Sequence, residues 1–152
     1  MIQIYTGDGK GKTQSAIGAT IRGAGHGLPV LFCQFLKDDS SGEISILKEL
    51  KEVEVFHAPK DYGFYFQMSE EEKAFTKKEA KLLFNQVIEK AKVKFDGDFL
   101  KRNEEFDSAI AKSSVTTLGD REEMAVKGII VFDELLVALD LGILEEDDVR
   151  NT

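Results

Sequence analysis

Four stretches of the chain carry a strand-like pattern of apolar positions. Residues 2–6, Ile-Gln-Ile-Tyr-Thr, form the first. Residues 30–36, Val-Leu-Phe-Cys-Gln-Phe-Leu, are almost wholly apolar, as expected of a strand covered on both faces. Residues 128–134, Gly-Ile-Ile-Val-Phe-Asp-Glu, repeat that character and end on two carboxylates, while residues 53–57, Val-Glu-Val-Phe-His, alternate. Helical spacing lies between these runs. Lys12 to about Gly25 places Ala16, Ile17, Ala19, Thr20 and Ala24 near one face, and Gly25-His26-Gly27 stops it. Ser69 followed by Glu70-Glu71-Glu72 reads as an N-cap with acids in the first turn, where the helix dipole favours them. Ala80, Phe84, Val87 and Ala91 then continue an i, i+4, i+7, i+11 stripe. Asp96-Gly97 suggests a turn, Phe99, Phe106 and Ile110 a further helix, and residues 120–127 a short one. Strands alternating with helices predict an α/β fold with a mainly parallel sheet and helices on both faces. No internal repeat or low-complexity linker interrupts the pattern, and four strands are few for a doubly wound sheet.

Composition narrows this picture without naming a chemistry. At 152 residues the chain fits one domain, residues 1–152, with one core. No apolar run approaches the roughly 20 residues that span a bilayer, so no membrane association is expected. Met1 leads straight into the first strand pattern, which leaves no room for a signal peptide. A single cysteine, Cys33, excludes an internal disulfide and fits a reducing cytoplasm. The formal net charge is −8 and the basic residues are scattered, which argues against nucleic acid as a partner. An anionic ligand in one local pocket remains open, because there backbone N–H groups outweigh net charge.

Such a pocket is suggested by Gly7-Asp8-Gly9-Lys10-Gly11-Lys12-Thr13, followed by Gln14. A triphosphate needs several donors converging on closely spaced oxygens, and glycines let backbone N–H groups approach without obstruction. The helix starting near Lys12 would add the positive end of its dipole. In a P-loop, Lys12 would meet phosphate oxygens and the Thr13 hydroxyl would bind Mg²⁺. Thr6 occupies the first glycine position of the usual pattern, and an ordinary strand-to-helix turn is the bland alternative. The strand ending in Asp133-Glu134 would bring the carboxylates that manage Mg²⁺, since ligands bind at the C-terminal ends of parallel strands. Otherwise the pair is a solvated strand end.

Several segments together resemble the P-loop type of ATP:corrinoid adenosyltransferases. That family's loop reads G-N-G-K-G-K-T, matched here by residues 7–13, and its first helix closes on an arginine and a G-H-G turn, matched by Arg22 and Gly25-His26-Gly27. Its second strand, V-Q-F-I-K-G, is similar to residues 33–38, and a Gly-Glu pair to Gly42-Glu43. A G-F-x-W segment is matched by Gly63-Phe64-Tyr65-Phe66, with phenylalanine in place of tryptophan. V-V-L-D-E-L and A-L-x-x-G-x-L correspond to residues 130–135 and 138–144.

The resemblance implies a P-loop NTPase-like (RecA-like) fold and an unusual reaction. A cobalt(I) corrinoid attacks the ribose 5′ carbon of ATP and displaces triphosphate, with Mg²⁺ as cofactor and ATP as co-substrate. Lys12 and Glu134 would be the catalytic residues, with Thr13 and Glu134 on the metal and Asp133 as a supporting acceptor. Gly7, Asp8, Gly9, Lys10, Gly11, Gln14 and Arg22 would complete the nucleotide site, although Lys10 and Arg22 could equally be solvated charges. Phe64 and Phe66, at i and i+2 of an extended segment, would cover one face of the macrocycle, or else belong to the core. His26 and His57 read as structural or as metal ligands, and Cys33 as an inert core residue. A homodimer and a flavin-protein reductase partner are also implied.

Two departures from the family pattern stand out. Residues 93–127 match nothing in it and suggest an insertion. The chain also stops before the family's further strand, ending in Thr-Gly-Arg, and its closing helix. A shortened chain, one completed by another subunit, and a homologue that binds ATP or corrinoid without turnover all remain open. So does a P-loop kinase or NTPase acting at the γ-phosphate.

Overall fold

The structure is a computed structural model, and it describes residues 3–6, 10–59, 63, 65–95 and 127–150. Three parallel strands form the sheet among these residues: β1 (Val30–Gln34) at the centre, β2 (Val53–His57) on one side and β3 (Ile129–Asp133) on the other. The register aligns Gln34 with both His57 and Asp133, so the three strands end level with one another. All five residues of β1 are buried, which explains the apolar run at 30–33; β2 lies at an edge of this sheet and is only half-buried, which fits its alternation.

Helices cover both faces, as the alternation predicts. On one face α1 (Lys12–Gly25) and α2 (Gly42–Lys48) pack Ala16, Ile17, Ile44 and Leu47 against Phe32, Val55 and Val131. On the other, α3 (Glu70–Lys94), α4 (Leu135–Asp140) and α5 (Glu146–Arg150) bring Phe84, Val87, Ala91 and Ala138 onto Leu31, Cys33 and Phe35. Phe132 stacks between Phe35 and Phe84, with ring centroids 6.0 and 5.4 Å away. The predicted cap of α3 forms in full: Glu72 N donates to Ser69 Oγ at 3.2 Å and Ser69 N to Glu72 Oε2 at 2.9 Å. Helix α1 lies so close to the sheet that a Cβ on Gly23 would sit 2.5 Å from Ile129 Cδ1.

Several expectations change. Residues 3–6 form no strand, and Ile4 and Tyr5 are each 52% exposed. A strand pattern is a fit to a pleated, half-covered surface, and this segment joins no sheet ladder among the described residues. The run at 30–36 stops as a strand at Gln34, because Leu36 takes φ 65° and turns the chain out of the sheet. Tyr65–Gln67 is a 3₁₀ turn and not an extended segment, so an i, i+2 alignment of side chains does not apply there. Helices α2, α4 and α5 have no counterpart among the sequence expectations. The turn at Asp96-Gly97, the helix around Phe99, Phe106 and Ile110, and most of the helix at 120–127 and of the suggested insertion lie outside the described residues. No helix among the described residues is long and apolar enough to cross a membrane.

Candidate functional site

Parallel strands converge on a crevice at their C-terminal ends, and there the sheet becomes polar. Asp133 closes β3 and is 4% exposed. Thr13, in the first turn of α1, places its hydroxyl 3.2 Å from both carboxylate oxygens of Asp133. Gln34, at the end of β1, donates from Nε2 to Asp133 Oδ2 at 2.9 Å. Three sequence-distant positions therefore meet on one buried carboxylate. Burial pushes the neighbouring Cys33 thiol far up, and the Asp133 charge adds to that effect, which fits an inert core thiol.

The start of α1 has no side-chain cap from its N-cap residue. Gly11, at φ 111°, provides a backbone conformation that a side-chain residue rarely adopts. As N-cap it has no side chain to satisfy the first-turn N–H groups. No acid sits in that turn, and Lys12 stands where the dipole disfavours a cation. A helix N-terminus with a glycine N-cap, no acid in its first turn and a lysine beside it suits an anion. Lys12 is half-buried, whereas Lys10 and Gln14 are exposed beside it. Gly7, Asp8 and Gly9 lie outside the described residues.

Glu134 follows Asp133 but has other surroundings. It takes φ 64°, serves as the N-cap position of α4, and its Oε1 lies 3.8 Å from Lys37 Nζ. Both β1 and β3 thus leave the sheet through a left-handed non-glycine residue, Leu36 and Glu134. Each such residue costs about 1–3 kcal/mol, and such strain concentrates at functional sites.

Other sequence candidates are placed elsewhere. Arg22 is exposed in the last turn of α1, ten residues beyond Lys12; at about 1.5 Å per residue that is roughly 15 Å along the helix. It does not join Thr13 and Asp133. Phe66 is 73% exposed on the 3₁₀ turn, which excludes a core role for it, and Phe64 lies outside the described residues. Beside that turn, Phe35, Leu36, Pro59, Met68, Ala80 and Leu83 line an apolar hollow. His57 places Nδ1 2.8 Å from the Ala58 carbonyl and Nε2 3.4 Å from Lys48, which pairs with Asp39 at 2.9 Å. His26 caps the end of α1. No group of three or more His, Cys, Asp and Glu capable of holding a metal occurs among the described residues. Sequence reasoning missed Gln34; its signal was a single amide inside an apolar run.

The family model describing the ATP:corrinoid adenosyltransferase BtuR/CobO/CobP matches residues 1–152. Among curated proteins, the corrinoid adenosyltransferase of Pseudomonas aeruginosa is 27% identical over 150 residues, covering 98% of this chain. The chain spans 57% of that relative's length. No solved structure matches the chain.

Proposed function

The chain belongs to the ATP:corrinoid adenosyltransferase family, and on that footing we propose that it transfers the 5′-deoxyadenosyl group of ATP to a cobalt(I) corrinoid, releasing triphosphate. The observation that carries the site assignment is the Thr13–Asp133 contact, which joins the start of α1 to the end of β3. We read residues 7–13 as a P-loop and residues 1–152 as one nucleotide-binding domain.

The donor set fits Mg²⁺. Thr13 and Asp133 offer hard oxygens on one buried edge, and Glu134 adds a second carboxylate next in sequence. Magnesium is held by one or two carboxylates together with substrate phosphates, rather than by a dedicated protein cage. When bound, it would neutralise charge on the departing triphosphate. Lys12 and the first-turn N–H groups of α1 would grip the same oxygens, where the leaving group gains charge. The cobalt of the substrate is itself the nucleophile, so the protein needs no general base. Its residues supply orientation and exclusion of water. Phe66, an exposed aromatic on the turn at 65–67, is suited to covering one face of a flat macrocycle. The cobalt(I) state requires a separate reductant, for which a flavin protein is our expectation.

Incubation with ATP, Mg²⁺ and a corrinoid under strong reductant tests the reading. Triphosphate and an adenosylated corrinoid in equal amounts are expected. ADP as the product would overturn it in favour of transfer at the γ-phosphate, and binding without product would reduce the chain to a ligand-holding homologue.

A further inference from the structure

Gln34 sits at the centre of the sheet, between His57 on β2 and Asp133 on β3, and is 0% exposed. The four preceding residues of β1 are Val, Leu, Phe and Cys, and a central strand covered on both faces has no structural need of an amide. The amide is also not fully satisfied. Nε2 donates to Asp133 Oδ2 at 2.9 Å, while Oε1 is buried and has no hydrogen-bond partner among the described residues. The orientation follows from chemistry, because a carboxylate accepts and so must face the NH₂ end. An orphaned buried acceptor costs about 1–3 kcal/mol, which an apolar side chain of similar volume would avoid.

What the amide does is restrain Asp133. The carboxylate torsion of an aspartate is broad and roughly two-fold, so the group turns unless something holds it. Thr13 Oγ1 lies equally far, 3.2 Å, from both oxygens and does not distinguish them. Gln34 bonds to Oδ2 alone. We propose that Gln34 is a positioning residue for the metal–triphosphate end of the site: it pins Asp133 by Oδ2 and leaves Oδ1 to the incoming cation and its water. Its unpartnered Oε1 is available to accept from water carried in with the cation. This inference rests on the reading of Thr13 and Asp133 as the magnesium side of the site.

The test replaces the amide by apolar groups of similar size, Gln34→Leu and Gln34→Met, and titrates Mg²⁺ into protein with ATP by calorimetry, beside ATP alone in EDTA and a thermal melt. Loss of a hydrogen bond to a charged group should raise the Mg²⁺ concentration for half-maximal ATP binding about tenfold in either folded variant. Metal-free ATP binding should stay unchanged, and melting should stay near the wild-type temperature, because losing the bond to Asp133 offsets the relief of the orphaned Oε1. Unchanged Mg²⁺ dependence in either folded variant would overturn the proposal and make Gln34 a packing residue. Equal weakening with and without Mg²⁺ would do the same, by tracing the effect to general disturbance. Wild-type protein whose ATP binding ignores Mg²⁺ would instead defeat the underlying site assignment, and this inference with it.

Discussion

The two ends of the sheet are built by opposite rules. At the end where β1 and β3 begin, a Cβ on Gly23 would fall 2.5 Å from Ile129 Cδ1 and 3.2 Å from Val30 Cγ2, and one on Gly128 would strike the Phe95 ring. These contacts are close-packed and apolar. At the opposite end, the same strands finish in Gln34 and Asp133 and leave through Leu36 and Glu134 in left-handed conformations. Buried polar groups, one unpartnered acceptor and strained backbone accumulate there. Contact density at one end holds the sheet together, and the other end carries arrangements that stability alone would not select.

The largest effect expected from this contrast is at the packed end. Phe95 is 1% exposed at the close of α3, and truncating it would leave a cavity above Gly128. Phe95→Ala should lower unfolding free energy by about 3–5 kcal/mol in denaturant titrations. ATP affinity of the folded protein should not change. A stable variant with impaired ATP binding would break the separation between the two ends.

A smaller effect of opposite sign is expected at the polar end. Glu134→Gly relieves a left-handed non-glycine residue, worth about 1–2 kcal/mol, against an unfolded-state entropy penalty of about 0.5–1 kcal/mol. On the proposed reaction, the variant should be slightly more stable and transfer adenosyl groups less well. A variant that is both less stable and fully active would show that Glu134 belongs to the structural end.

The smallest effect belongs to neither end. Asp148 on α5 pairs with Lys81 on α3 at 2.5 Å, and the hydrogen bond from Lys81 holds its carboxyl below the usual range, against some burial and with help from the Glu145 N–H. A depressed folded pKa contributes stability above the unfolded value, about 3.9, and loses it as pH falls through the folded one. Asp148→Asn should therefore cost less than about 1 kcal/mol near neutral pH, with the difference from wild type vanishing in acid. Unfolding curves at several pH values would show this. A large loss would promote this surface tie to a structural anchor.

The same contrast governs what could be read from sequence. The packed regions were legible: the apolar runs of β1 and β3 and the capped stripe of α3 report burial directly, through period and composition. The seven-residue α2 was not, since it opens on Gly42 behind Ser41, whose side chain makes no cap bond. The N-terminal segment misled because its pattern describes a strand only if a ladder is available. At the polar end, Thr13 and Asp133 were legible as separate motif residues, and the structure adds their meeting. Gln34 was not, because one amide in an apolar run carries no periodic signal. Arg22, suggested by the resemblance alone, stands in the last turn of α1, well along the helix from Lys12 and Thr13.

The contact between Thr13 and Asp133 is the hinge of the functional account, and calorimetric titration of ATP with and without Mg²⁺ tests it most directly. Thr13→Val and Asp133→Asn should each weaken Mg²⁺-dependent ATP binding by roughly ten- to a hundredfold while melting near the wild-type temperature. Folded variants that bind Mg²⁺ and ATP as tightly as wild type would contradict it.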